Sequence, residues 1–138
     1  IQVIVGVIIA GGLTFNSSLL LPFILFNTIV LNLAFNFIVG TFGFYFTEAG
    51  GIKNTFVHIY NLCGGVLMPL FLMPAWVASA LQFTPFPAAQ YHLAILLQGI
   101  YPVQVGFVFI GTLWAIGLMA FAIWFWRRSL NRYEAIGI

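Results

Sequence analysis

Two stretches without a single charged side chain, Ile1 to Thr47 and Asn54 to Trp126, decide what this chain can become. They are 47 and 73 residues long and take up most of the sequence. A helix needs about 20 apolar residues to cross roughly 30 Å of hydrocarbon. The first stretch has room for two spans, and the second for two spans plus shorter pieces. Glu48, Lys53, Arg127, Arg128, Arg132 and Glu134 are the only charged residues, where a soluble domain of this length would carry about 35. With 63% hydrophobic residues and 16 Phe, the sequence has no polar surface to offer as a soluble globule. The expected fold is an all-α polytopic membrane protein, one helical domain over residues 1–138.

The same features exclude whole classes of function. A net charge of +2, confined to the ends of apolar runs, is no nucleic-acid footprint, which needs clustered Lys and Arg. Cys63 is the only cysteine, so an intrachain disulfide framework and a cysteine-rich metal or iron–sulfur site are excluded within this chain. The chain begins with Ile and lacks the pattern of a cleavable signal peptide. It reads as part of a longer polypeptide.

The spans are expected at about 1–13, 19–45, 55–73 and 103–126. Thr14 to Ser18 is a polar break in which Ser17 or Ser18 suits a helix N-cap, with Pro22 in the first turn that follows. Thr47 to Asn54 is the one charged interior loop, and Gly50-Gly51 is expected to end a helix there. Between Pro74 and Pro102 the pattern changes. Ala75–Phe83 and Ala88–Gln98 are 9 and 11 residues long, too short to cross, and read as a re-entrant or interfacial helical pair before the last span. Trp76, Tyr91 and Tyr101 are the interface-seeking aromatics of that layer, 75–101.

Orientation comes from the cations. Arg127, Arg128 and Arg132 follow the last span and act as a cytoplasmic anchor. Counting back puts the 75–101 layer outside, Glu48 and Lys53 inside, and Asn16 to Ser18 outside. Every charge then falls on the cytoplasmic side.

Few residues carry chemistry. His58 and His92 could ligate haem or a metal, but they fall on opposite sides of the membrane with no carboxylate nearby, and interfacial histidines are the preferred reading. Glu48 could relay protons, yet beside a Gly-Gly turn with Lys53 close by it reads as a solvated loop charge. Cys63 sits in a span without a basic neighbour, which argues against reactivity. Gly64-Gly65 precedes no Lys-Ser or Lys-Thr, so it is no phosphate loop. No catalytic apparatus is expected in the chain. Thr28, Asn32, Asn36, Gly40 and Gly43 recur at spacings of four, four, four and three, on one helix face. Amides there either bond neighbouring helices or line a watery path. Interhelical bonding is preferred, with a translocation face as the functional alternative.

The order of segments then becomes informative. Gly65-Val66-Leu67-Met68-Pro69, Pro74-Ala75-Trp76, Phe83-Thr84-Pro85-Phe86, a last span and Trp126-Arg127-Arg128 through Arg132-Tyr133-Glu134-Ala135-Ile136-Gly137 follow one another. Upstream stands Phe44-Tyr45-Phe46-Thr47-Glu48. This series resembles ATP-binding-cassette permeases of the ABC-2 class, most of all a bacterial branch of short exporter permeases. The resemblance covers residues 44 to 138 by motif and 1 to 43 by hydropathy. The chain departs from it at Gln90 to Ala94, where the branch often has a proline.

The resemblance implies an intact subunit of six spans, of which these are the last four, with the ATPase-contacting coupling helix upstream of this chain. It implies a transport subunit and no enzyme, exporting its substrate across the bacterial cytoplasmic membrane by alternating access, and the aromatic supply at Phe71, Trp76, Phe83 and Phe86 suits an amphipathic or lipid-like cargo. The chain itself would hold no cofactor; ATP and Mg would sit on separate cytoplasmic ATPase partners. A second permease subunit, identical or different, would complete the pathway. Thr28, Asn32, Asn36, Gly40 and Gly43 would then be a candidate translocation face, and Pro69, Pro74, Trp76, Pro85 and Pro87 an external gate. The alternatives are a structural accessory subunit of a larger membrane complex, and a secondary carrier, which needs intramembrane ionisable groups.

Overall fold

The computed structural model describes residues 15–45, 49–98 and 103–134. The expected span over 1–13, Glu48, Tyr101, Pro102 and residues 135–137 of the terminal motif lie outside the described residues. Among these residues six α-helices follow in order: α1 (Phe15–Thr41), α2 (Ala49–Cys63), α3 (Ala75–Gln82), α4 (Pro85–Ala89), α5 (Tyr91–Gln98) and α6 (Val105–Glu134). Single 3₁₀ turns at Phe42–Phe44 and Leu70–Leu72 join them, and no strand occurs among the described residues.

Among the described residues, two helices are long and apolar enough to cross a membrane. Their apolar stretches are Leu19–Phe44 and Val105–Leu130, each 26 residues, or about 39 Å at 1.5 Å per residue. In the most apolar part of each, only 22% of residues are buried. A core helix of a soluble protein would be covered on most sides. Here Phe23, Phe109, Leu113, Ile116 and Trp124 stand out from the protein, so these helices carry the surface of elements bathed in lipid or covered by other protein.

The two long helices form the frame and run parallel. Asn27 meets Val108 near their beginnings, Phe37 meets Trp126 further along, and Tyr45 meets Ser129 at their ends. Their seam is a heptad pattern. On α1 the buried residues are Ile24, Asn27, Leu31, Ala34 and Thr41; on α6 they are Val108, Gly111, Ala115, Ala122 and Ser129. Small side chains dominate the α6 side, which lets the backbones approach closely, as packed membrane helices do. At the far end Ser129 Oγ donates to the Phe125 carbonyl at 2.8 Å and accepts from Tyr45 Oη at 3.0 Å.

Because α1 and α6 point the same way, the chain between them must return along the whole length of the pair. The return begins with α2, which runs antiparallel to α1: Phe56 stacks on Phe42, and Tyr60 reaches Asn32. The expected span over 55–73 is not one helix. α2 ends at Cys63 because Gly65 takes the left-handed φ of +77° that an L-side chain resists. Val66 N bonds the Asn61 carbonyl at 2.9 Å and Gly65 N the Leu62 carbonyl at 3.2 Å, a Schellman ending. A Cβ on Gly65 would also meet Leu70 Cδ1 at 2.6 Å.

Other boundaries move as well. α2 starts at Ala49, so Gly50 and Gly51 lie inside its first turn instead of ending a helix. α1 starts at Phe15, which puts Ser17 and Ser18 within it and Pro22 in its interior. The polar break there costs too little helix propensity to stop a 27-residue helix. α6 continues beyond Trp126 to Glu134 and carries Arg127, Arg128 and Arg132 on its last turns.

Candidate functional site

Chain between α2 and α6 is folded into three short helices, and α4 is their centre. Thr84 is extended (φ −93°, ψ 165°), the conformation that a following proline imposes, so α3 stops and Pro85 begins a new helix. Pro85, Pro87, Ala88 and Ala89 are all buried, packed against both long helices. Gln90 breaks the helix again at φ −138°, ψ −51°, so the segment expected as one helix over 88–98 is split between α4 and α5. Ala88 and Ala89 share a cluster with Leu31 and Ala115. Since Leu31 and Asn32 lie midway along Leu19–Phe44, α4 reaches the middle of the frame.

A five-residue helix leaves most of its carbonyls without internal partners. Side chains of α1 take two of them. Thr28 Oγ1 donates to the Ala88 carbonyl at 3.4 Å, and Asn32 Nδ2 to the Ala89 carbonyl at 3.0 Å and the Thr28 carbonyl at 2.7 Å. Asn32 Oδ1 in turn accepts from Tyr60 Oη at 2.9 Å. One amide therefore joins α1, α2 and α4. Gln90 Nε2 donates to Asn61 Oδ1 at 3.2 Å, which ties α2 to the start of α5. Among the described residues, the acceptors Asn27 Oδ1 and Gln90 Oε1 are buried without a hydrogen-bond partner.

The expected translocation face thus divides. Thr28 and Asn32 are engaged by α4. Asn36 is exposed and bonds back to the Asn32 carbonyl at 2.8 Å. Gly40 and Gly43 are exposed, with nothing within 4 Å of a Cβ added there. Asn27, which the spacing argument left off that face, is 1% exposed and forms part of the helix seam. Its heptad step to Leu31 and Ala34 was the readable signal.

Below α4, α1 and α2 stand apart and leave a groove of about 390 Å³. Two aromatic contacts prop it open: Phe42 on Phe56 at 5.7 Å, and Phe35 on Tyr60 at 4.6 Å with Phe86 behind. Asn32, Asn36, Asn61 and Gln90 line it, and Lys53 stands at the other end. A second cleft of about 300 Å³ lies beside α5, with Gln82, His92, Gln104 and Phe107 among its walls. His92 is 3% exposed, its Nε2 3.2 Å from Gln82 Oε1. Burial pushes its imidazole down to about 4, so it is neutral at pH 7. His58, by contrast, is exposed on α2. Among the described residues no three His, Cys, Asp or Glu side chains converge.

The residues expected to form an external gate fall on different elements. Pro85 and Pro87 are buried in α4, Pro69 precedes the 3₁₀ turn, Pro74 caps α3, and Trp76 is 77% exposed. α3 is held to α6 where Trp114 Nε1 donates to the Phe83 carbonyl at 2.8 Å. Lys53, Arg127 and Arg128 lie at the opposite end, beside the ends of α1 and α6, with Arg128 over the Trp124 ring at 5.7 Å. Arg132 follows on the same helix.

No family model, curated protein or solved structure matches this chain.

Proposed function

We propose that this chain is the transmembrane part of an exporter permease, in which a separate cytoplasmic ATPase drives alternating access. The observation that carries this reading is the depth of α4. A short, proline-started helix reaches the middle of two parallel apolar helices, with two of its carbonyls taken by α1 side chains. Irregular backbone at membrane depth survives where protein or a watery cavity covers it, and broken helices beside polar side chains recur where substrates pass. A plain membrane anchor has no use for such a layer.

In this reading α1 and α6 cross in the same direction, α2 and residues 64–74 return the chain between them, and α3–α5 dip in from the outside as a re-entrant layer. Lys53, Arg127 and Arg128 sit at the cytoplasmic face, in keeping with positive charges inside. Alternating access needs α2 to move against α1, and the hinge would be the aromatic contacts that prop the groove. The exposed faces of α1 and α6 would meet lipid and a second permease subunit. The ATPase would bind through elements outside the described residues.

The test is purification of the tagged full-length subunit from its native membrane. The expected result is a stoichiometric P-loop ATPase partner whose vanadate-sensitive ATP hydrolysis survives co-reconstitution. Recovery in a cofactor-bearing assembly that contains no ATPase would replace this reading with the accessory-subunit one.

A further inference from the structure

The groove between α1 and α2 has the make-up of a ligand site whose two ends differ in chemistry. Its α2 wall is Lys53, Phe56, Val57, Ile59, Tyr60 and Asn61, all but Ile59 on one helix face at spacings of three and four. Its α1 wall is Asn32, Phe35, Asn36, Ile38 and Val39, all but Ile38 on one face. From Lys53 to Asn61 the groove runs about 12 Å along α2. Amides gather at the inner end, aromatic and aliphatic side chains fill the middle, and a lone cation closes the outer end. No carboxylate is among the described residues that line it. Ligand cavities are mostly apolar with a few convergent polar groups, and range over roughly 300–1,000 Å³; this groove, at about 390 Å³, belongs at the small end.

We propose that this groove binds a single-chain anionic amphipath, of the fatty-acid class, with its headgroup at Lys53 and its chain laid toward Phe35 and Asn61. Charge complementarity selects the headgroup, since Lys53 is exposed and projects into the groove mouth. The apolar middle selects an alkyl chain. The short, narrow volume selects one chain over the two of a bilayer phospholipid. Lys53 lies at the end of an apolar helix, where a lysine also serves as a plain interfacial anchor, so the test must separate the two roles. As a transported molecule this ligand rests on the exporter reading; as a bound molecule it does not, and the experiment reads binding alone.

The full chain is placed in phosphatidylcholine nanodiscs and exposed to decanoic acid bearing a mid-chain diazirine. A decyltrimethylammonium ion with the same diazirine serves as the comparison. The acid should label saturably, on peptides covering 32–39 and 53–61, and unlabelled acid should compete. Lys53→Glu should weaken the acid by about tenfold and strengthen the cation. Ile59→Trp, which fills the groove, should abolish saturable labelling, while Ile123→Trp on the far side of α6 should leave it intact. All variants must keep the wild-type helical circular dichroism and elution volume, and Lys53→Gln provides a milder second measure. Labelling that rises linearly and spreads over Leu113 and Ile116 of α6 would mean ordinary bilayer contact and overturn the proposal. Unchanged affinity for the acid in Lys53→Glu would do the same.

Discussion

Asn27 donates through Nδ2 to the main-chain carbonyl of Val108, 3.0 Å away and 81 positions further along the chain. The carbonyl also accepts from Thr112 Oγ1 at 3.0 Å, so a single α6 oxygen fastens both long helices. Next to it, Gly111 lets Ala88 of α4 into the same space. α1, α4 and α6 therefore meet at one point, and the parallel order of the long helices is set there.

Gly111→Ala should destabilise the fold by about 1–3 kcal/mol. The added Cβ would meet Ala88 Cβ at 2.7 Å and Asn27 Nδ2 at 3.0 Å, and α4 has no room to retreat. Gly117→Ala, on the same helix with nothing within 4 Å, should be neutral or stabilising because alanine favours the helix by about 1 kcal/mol. Thermal unfolding of the two variants in one detergent checks the contrast. Equal melting temperatures would contradict the three-way contact.

Asn32→Leu should cost about 1–3 kcal/mol, because it strands both the Ala89 carbonyl and the Tyr60 hydroxyl. Thr28→Val should cost less, since its bond to Ala88 is long at 3.4 Å. Asn36→Leu should change stability least, since its described bond is to its own helix. The order Asn32, Thr28, Asn36 in loss of melting temperature is the readout.

The protein should lose stability as pH falls from about 6.5 toward 4, through His92. The sign follows from burial. The folded imidazole is held at about 4 and the unfolded one near 6.5, so below the unfolded value the unfolded chain binds the extra proton. Above about 6.5 the contribution is complete. His92→Gln should flatten the fall in melting temperature between pH 7.5 and 4.5, relative to wild type. An equally steep fall in the variant would assign the effect to another group.

Cysteine accessibility tests the proposed orientation. On a Cys63→Ala background, Trp76→Cys should react with an impermeant maleimide in intact cells. Asn54→Cys, at the Lys53 end of α2, should react only after permeabilisation. Labelling of position 54 from outside would reverse the orientation or break the three-crossing path.

The sequence by itself determined the helical class and the two long apolar segments, because hydrophobicity over more than 20 residues is a local property. It also marked residues 75–101 as pieces too short to cross, since prolines at 74, 85 and 87 act on their immediate neighbours. Local patterns of other kinds were present but ambiguous. Gly64-Gly65 is a helix ending only because Gly65 takes a left-handed φ with Leu70 and Tyr91 packed against it, and two adjacent glycines do not say which conformation they adopt. Thr28, Asn32 and Asn36 share a helix face whatever surrounds them, but whether each amide meets a partner or a cavity depends on where α4 lies. That placement rests on contacts such as Thr28 with Ala88, 60 positions apart, and Asn27 with Val108. No window of sequence contains both partners of such a pair, so only the tertiary structure could decide that α4 closes one half of the α1 face and leaves the other half open to the groove at Lys53.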